Sequence, residues 1–263
     1  MKRYKGFLLD LDGTIYRGKE IIPEAVRFIE QLKKAGLPFL YLTNNSSTTP
    51  EKVAARLTSM GLLTETSEVY TSSMATAAYL QEQEKANGKT AYVIGEEGLL
   101  HALTEAGYSF RDHSVSYVVV GIDRSFTYDK LDKAATAIRN GATFIATNQD
   151  AALPTEGGLR PGNGSLVAAV SVASGTKPLV VGKPETIIVN YALEKLGTSK
   201  EETLIIGDNL YTDISAGANS GIDSLLVLTG FSSAEDAAHF HAKPTYIEEN
   251  LLAWWEKHAC ACL

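Results

Sequence analysis

The chain has 263 residues, 44% of them apolar, and a formal net charge of -7 at pH 7. That composition supports one large core or two modest ones and argues against disorder. Lysines and arginines are scattered, which leaves no basic face for polymeric nucleic acid, and no apolar stretch approaches the roughly 20 residues that span a bilayer.

The N-terminus enters a strand and not a signal-peptide core, which fits a soluble cytoplasmic protein. That first predicted strand, an apolar run from Phe7, ends in Asp10-Leu11-Asp12-Gly13-Thr14. Side chains two apart on a strand share a face, so Asp10 and Asp12 are expected to point the same way. Two carboxylates aimed together repel unless a cation or a reacting group lies between them, and this suits metal-assisted chemistry. Asp12-Gly13 between apolar stretches is equally a hairpin signal, and a short hairpin hanging from the strand end is compatible with both readings.

Pro23 opens a helix whose Ala25, Val26, Phe28, Ile29 and Leu32 make one apolar stripe, ended by Gly36. A second strand over 38–42 stops at Thr43-Asn44-Asn45, and Thr48-Thr49-Pro50-Glu51 starts a capped helix. A strand near Val69 and a helix from about Ser73 follow.

From about Thr90 a second α/β series begins: strand 91–94, helix 98–106, strand 117–122, helix 128–140, strand 143–146. A looser glycine- and proline-bearing segment, 150–164, precedes a helix at 165–173 and Leu179-Val180-Val181-Gly182-Lys183-Pro184. The last block reads helix 185–196, strand 203–206, Gly207-Asp208, helix 213–220 and strand 224–228. Alternation of apolar runs with helical periodicity indicates parallel sheets flanked by helices. The first and last blocks are alike in kind. The expected organisation is a discontinuous core, 1–82 with 180–263, carrying an inserted α/β domain at 83–179.

His239 and His241 sit in a polar late segment and read as surface or partly buried residues. The two cysteines, Cys260 and Cys262, fall in the last four residues, so no disulfide framework is expected. Cys260-Ala261-Cys262-Leu263 has the outline of a prenylation box without a basic stretch beside it, and no function is assigned to it.

Ligands of open parallel sheets bind outside the carboxyl ends of the strands. Four polar clusters fall there: Asp10/Asp12, Thr43/Asn44, Lys183 and Asp208/Asp213. Thr43 follows directly on the strand after Asp10 and is assigned to a phosphoryl group, whereas Thr147-Asn148 lies in the insert and is assigned to a substrate-facing loop. Gly182-Lys183 is followed by Pro184 and lacks the upstream glycine of a P-loop; no dinucleotide fingerprint or Gly-x-Ser-x-Gly elbow occurs. Taken singly, Lys183 also reads as a surface lysine and Asp213 as an acid in a first helical turn.

The four clusters in this order resemble the four motifs of the haloacid dehalogenase superfamily. The large insert, with Ala146-Thr147-Asn148-Gln149-Asp150 and Gly162-Asn163-Gly164, is similar to the C2-type (class IIA) cap of its NagD-like, p-nitrophenylphosphatase-like branch. The resemblance covers nearly the whole chain. It implies a Rossmann-like three-layer core and a Mg²⁺-dependent phosphatase acting on small phosphorylated metabolites, with sugar phosphates, nucleoside monophosphates and p-nitrophenyl phosphate as candidates. It further implies Asp10 as nucleophile and Asp12 as acid and base. The Thr43 hydroxyl, the Asn44 backbone N–H and the Lys183 ammonium would sit on the phosphoryl oxygens. The metal site would comprise Asp10, the Asp12 backbone carbonyl, Asp208 and Asp213. Asn45, Asn148, Asp150 and Arg160 are the expected contacts to the rest of the substrate. A phosphotransferase or phosphomutase on the same site and a non-catalytic phosphometabolite sensor are the alternatives. A homodimer formed through the insert is one assembly the chain permits.

Overall fold

The structure, a computed structural model, describes residues 3–83, 88–155 and 157–262; the side chains of 154–155 and 259–262, Cys260 and Cys262 among them, lie outside that description. In chain order the strands are β1 (Gly6–Leu9), β2 (Tyr16–Arg17), β3 (Glu20–Ile21), β4 (Phe39–Thr43), β5 (Val69–Thr71), β6 (Thr90–Ile94), β7 (Ser109–Phe110), β8 (Tyr117–Val120), β9 (Thr143–Ala146), β10 (Ala152–Thr155), β11 (Gly158–Pro161), β12 (Leu179–Val180), β13 (Thr203–Gly207), β14 (Asp223–Val227) and β15 (Tyr246–Glu248).

Two compact units form: residues 1–43, 53–70 and 183–263, and residues 44–52 and 71–182. The insert expected at 83–179 lies inside the second unit, which also takes in 44–52, 71–82 and 180–182. Local bonding accounts for this. Ser72 Oγ donates to the Asn44 carbonyl (2.8 Å), Ser73 Oγ to the Ser46 carbonyl (3.0 Å), and the Gly98 N–H to the Ser47 carbonyl (3.0 Å).

The first unit is built on a six-stranded sheet of order β15-β14-β13-β1-β4-β5. β1 runs parallel to β13 and β4, and β14 runs parallel to β13 and β15. Phe7, Leu9, Leu204, Ile206, Leu225 and Val227 share one core with Phe28, Ile29 and Trp254 from the helices Pro23–Ala35 and Leu251–Cys262. The alternate residues Leu8, Ile205 and Leu226 are buried as well, so both faces of the sheet are covered. Burial on both faces is why these strands read as unbroken apolar runs and not as alternating patterns. Strand order reverses at β1, because the chain continues to β4 on one side and returns to β13 on the other. Asp10 and Asp208 follow the carboxyl ends of those two neighbouring strands at the topological switch point.

The second unit has a five-stranded sheet, β12-β9-β8-β6-β7, with all four neighbouring pairs parallel. Its core joins Val118, Val120, Phe144 and Ala146 to Ala134 and Ile138 of the helix Tyr128–Arg139 and to Val167 and Val170 of the helix Asn163–Ser174. Among the described residues, no helix is long and apolar enough to cross a membrane.

Several elements depart from the sequence reading. The Asp12-Gly13 hairpin is displaced: β1 stops at Leu9, and the antiparallel pair is Tyr16–Arg17 with Glu20–Ile21, turning at Gly18-Lys19. Gly13 still has φ of +85°, but in the loop that precedes the hairpin. The segment read as loose at 150–164 contains the antiparallel pair β10–β11 and the start of the helix Asn163–Ser174. The helix expected from 213 is a wide π-type turn, Leu210–Ile214, leading into Ser215–Ser220. The helices Ala234–His239 and Leu251–Cys262 and the edge strand β15 had no counterpart in the reading.

Trp254 is fully buried, with its ring centroid 6.1 Å from those of Tyr4 and Phe7, 6.4 Å from Phe28 and 6.0 Å from Tyr246. Truncating so large a side chain costs both its transfer free energy and a cavity. Trp254→Ala is expected to lower unfolding stability by about 3–5 kcal/mol in urea titrations. A loss below roughly 1 kcal/mol would show that this cluster does not anchor the last helix to the sheet.

Candidate active site

Three carboxylates converge at the carboxyl edge of the first unit's sheet. Asp10, Asp208 and Asp213 each offer one oxygen, and these oxygens lie within 4.8 Å of one another. Asp10 follows β1, and its own N–H donates to the Ile206 carbonyl at 2.9 Å, which ties it to β13. Asp208 follows β13, and the turn Leu210–Ile214 brings Asp213 back over the same strand. Asp213 is held by the Asn209 N–H, which donates to Oδ2 at 3.2 Å. The Phe231 N–H donates to Asp208 Oδ2 at 2.6 Å.

Lys183 supplies an ammonium that Asp10 and Asp213 share. It is 2% exposed, and Nζ donates to Asp10 Oδ1 and to Asp213 Oδ1, both at 2.6 Å. Burial acts to lower the Lys183 pKa, but Asp10 and Asp213 outweigh it and hold it above the usual range. The surface-lysine reading of Lys183 is thereby excluded by its position. Burial raises Asp10 well above the usual carboxylate range; Lys183 opposes that shift, and Asp213 and Asp208 add to it. Asp208 is pushed up to about 7, by burial first and then by Asp213, against the lowering effect of the Phe231 N–H.

Close backbone approach makes this density of charge geometrically feasible. A Cβ on Gly13 would stand 2.2 Å from Asp208 Oδ2, one on Gly230 1.9 Å from the same oxygen, and one on Gly207 2.2 Å from Asp213 Cγ. Only glycine fits at these three positions. Two buried acids and a half-buried one, beside a single ammonium, form a hard-oxygen donor set, and a divalent cation would satisfy it.

Asp12 lies beyond β1, which ends at Leu9, so strand alternation does not set its direction. Its Oδ2 accepts a hydrogen bond from the Tyr16 hydroxyl at 3.0 Å. Burial raises its pKa, opposed by the Tyr16 hydrogen bond and the charge of Arg56. Thr43 is buried at the carboxyl end of β4, the strand beside β1, and thus belongs to the same sheet edge as Asp10.

The remaining expected residues fall in the second unit, where a hydrogen-bond network joins most of them. Asn44 Nδ2 donates to Asp150 Oδ1 at 3.0 Å, and Asn148 Nδ2 donates to the Asn44 carbonyl at 2.8 Å. Asn163 Nδ2 donates to the Asn148 carbonyl at 2.8 Å. Asn45 Oδ1 accepts from the Ser47 and Thr48 N–H groups at 2.8 and 3.2 Å and organises the turn before the helix Pro50–Ser59. Arg160 lies on exposed β11, apart from this network. Gly182 is packed closely: a Cβ there would lie 2.4 Å from the Thr147 carbonyl oxygen and 2.6 Å from Asn44 Oδ1. Sequence reasoning missed Tyr16, Arg56, Gly230 and the Phe231 N–H. A backbone donor carries no residue signature, Arg56 and Gly230 lie away from the motifs, and Tyr16 falls in an apolar stretch after Asp12-Gly13.

Comparison with known proteins agrees with this geometry. Residues 7–109 match the haloacid dehalogenase-like hydrolase family, and residues 180–254 match a second family of HAD-like hydrolases. The 5'-nucleotidase YutF of Bacillus subtilis (strain 168) is 50% identical over 254 residues, covering 97% of this chain and 98% of that protein. An acid sugar phosphatase of Staphylococcus aureus is 47% identical over 252 residues, covering 95% of this chain and 96% of its own length. The structure of NagD from E. coli K-12 superposes with a TM-score of 0.90 at 40% identity, over 95% of this chain and 98% of that one. The clustered acids on a parallel sheet and these full-length likenesses lead to one conclusion: the chain belongs to the haloacid dehalogenase-like hydrolases, in company with NagD and its phosphatase relatives.

Proposed function

We propose that this chain is a Mg²⁺-dependent phosphatase that hydrolyses small phosphorylated metabolites through an aspartyl phosphate on Asp10. The observation that carries this reading is the convergence of Asp10, Asp208 and Asp213, two of them paired with one buried ammonium. Nucleotidase and sugar-phosphatase relatives of full length support nucleoside monophosphates and sugar phosphates as the substrate classes.

Asp10, Asp208, Asp213 and the Asp12 carbonyl would hold Mg²⁺. When bound, the ion neutralises the acids and polarises the phosphoryl group. An Asp10 carboxylate oxygen forms the new bond to phosphorus while the ester P–O bond breaks, and the departing oxygen takes a proton from the Asp12 carboxyl group. In the second half-reaction Asp12, now a carboxylate, accepts a proton from water. That water attacks phosphorus, releasing inorganic phosphate and restoring Asp10. The Lys183 ammonium, hydrogen-bonded to one Asp10 oxygen, restricts rotation of the nucleophile. With the Thr43 hydroxyl and the Asn44 backbone N–H, it would also bear on the phosphoryl oxygens as charge redistributes.

We assign the second unit the part of a cap over the substrate, with Asn45, Asn148, Asp150 and Arg160 as its candidate leaving-group contacts. The Asn44–Asp150–Asn148 network supports a fixed loop shape there. Solution in the cytoplasm is the setting we favour, in keeping with the chain's sparse cysteines.

Two outcomes follow from this assignment. Asp10→Asn should lower kcat/KM for p-nitrophenyl phosphate by more than about a hundredfold, or roughly 2.7 kcal/mol of barrier, with unchanged circular dichroism. Activity within about tenfold of wild type would remove Asp10 as nucleophile. The second outcome concerns pH. Because Asp208 is raised to about 7 in the folded state, and Asp10 is raised as well, their contribution to metal-free stability is present in acid and is lost as pH rises, for Asp208 through about 7. Mg²⁺ must displace protons below that range, so the rise in Tm on adding Mg²⁺ should be larger near pH 8 than near pH 5.5. An equal or reversed difference, measured by scanning calorimetry, would contradict the assignment of these acids as ligands.

A further inference from the structure

The hairpin Tyr16–Arg17/Glu20–Ile21 is anchored more firmly than its length requires. Two-stranded hairpins are marginal by themselves. At its base, the Leu11 carbonyl accepts from the N–H groups of Thr14, Ile15 and Tyr16 at 3.2, 2.8 and 3.2 Å, and the Gly13 N–H donates to the Tyr16 carbonyl at 2.8 Å. On one edge, Arg17 Nε donates to the Thr229 carbonyl, while Thr229 Oγ1 donates to the Gly13 carbonyl at 2.6 Å. At the tip, Arg56 of the helix Pro50–Ser59 donates from Nη2 to the Gly18 carbonyl at 2.7 Å. The same guanidinium lies over the Tyr16 ring, 4.4 Å from its centroid.

The hairpin so anchored carries Tyr16, and the Arg56 guanidinium bears directly on its ring. Tyr16 is 3% exposed, yet its hydroxyl reaches the Asp12 carboxylate, on a residue open to solvent. An aspartate in a loop has two free torsions, and proton transfer is sensitive to small misplacements of the acid. A buried ring clamped from above by a cation gives the hydroxyl a fixed position, and through it the carboxyl group.

We propose that Tyr16 is a positioning residue for the proton transfer step: clamped by Arg56, its hydroxyl orients the Asp12 carboxyl group toward the departing oxygen of the substrate. The inference rests on the assignment of Asp12 as acid and base. Asp10 receives its orientation independently, from Lys183 and the β13 backbone. Tyr16 and Arg56 therefore act on leaving-group protonation and not on nucleophilic attack.

Leaving groups separate these two effects. An alkyl phosphate expels a strongly basic alkoxide that needs a proton, whereas p-nitrophenolate departs with little help. The quantity to compare is kcat/KM, which reports the steps up to loss of the leaving group and is blind to later hydrolysis of the phosphoenzyme. Tyr16→Phe keeps the ring under Arg56 and removes only the hydroxyl. It is expected to lower kcat/KM about tenfold or more for an alkyl phosphate such as glycerol phosphate, and less than about threefold for p-nitrophenyl phosphate. Arg56→Ala should shift the same ratio in the same direction, with the Tm of both variants checked by calorimetry. Equal losses on the two substrates in Tyr16→Phe, or no loss on either, would overturn the proposal. Asp12→Asn serves as the reference. If it shows no leaving-group dependence, the acid assignment itself fails and takes the proposal with it, whereas dependence in Asp12→Asn but not in Tyr16→Phe overturns the proposal alone.

Discussion

Mutual repulsion among Asp10, Asp208 and Asp213 is the constraint around which the first unit is organised. Three carboxylates with oxygens inside 4.8 Å, two of them on nearly inaccessible side chains, cannot all ionise cheaply against a single ammonium. Burial first, and then the neighbouring carboxylates, raise the pKa values of Asp10 and Asp208, and the burden is met by rigidity elsewhere. A doubly covered parallel sheet fixes the strand ends from which Asp10 and Asp208 emerge, and glycines at 13, 207 and 230 let backbone pass where any side chain would collide with a carboxylate. A cation held by this acidic group would offset that repulsion.

The proposed nucleophile and the proposed proton donor are held by different means. Asp10 is fastened by an ion pair to Lys183 and by its N–H to the Ile206 carbonyl, both within the buried edge of the sheet. Asp12, two residues on, has left the strand and takes its orientation from a hairpin clamped by Arg56. This division suits the chemistry. A nucleophile attacks along one line and profits from rigidity, while an acid that must first give a proton to an ester oxygen and then take one from water profits from a position near solvent.

Much of this was legible in the sequence because the parallel sheet writes itself as apolar runs ending in polar residues. Phe7 to Asp10, Phe39 to Thr43 and Leu204 to Asp208 each show a buried strand and its functional end together. Lys183 was readable only as one of an ordered set; its burial and its two ion pairs depend on contacts 173 and 30 residues away in the chain. The Asp12-Gly13 signal was sound chemistry at the wrong place: the glycine does adopt positive φ, but Leu11 gathers three N–H groups and pushes the hairpin turn to Gly18. Tyr246–Glu248 escaped notice because an edge strand with partly exposed residues lacks a continuous apolar run. The clamp of Arg56 on Tyr16 joins residues forty positions apart in sequence and leaves no local pattern.

The central claim is that these acids come together in order to grip a divalent cation. Isothermal titration calorimetry of the metal-free protein with Mg²⁺ tests it without reference to turnover or substrate. The account predicts saturable binding at a single site in the wild type, abolished in Asp208→Asn while the fold persists. Binding of undiminished strength in that variant, or none in the wild type at neutral pH, would contradict it.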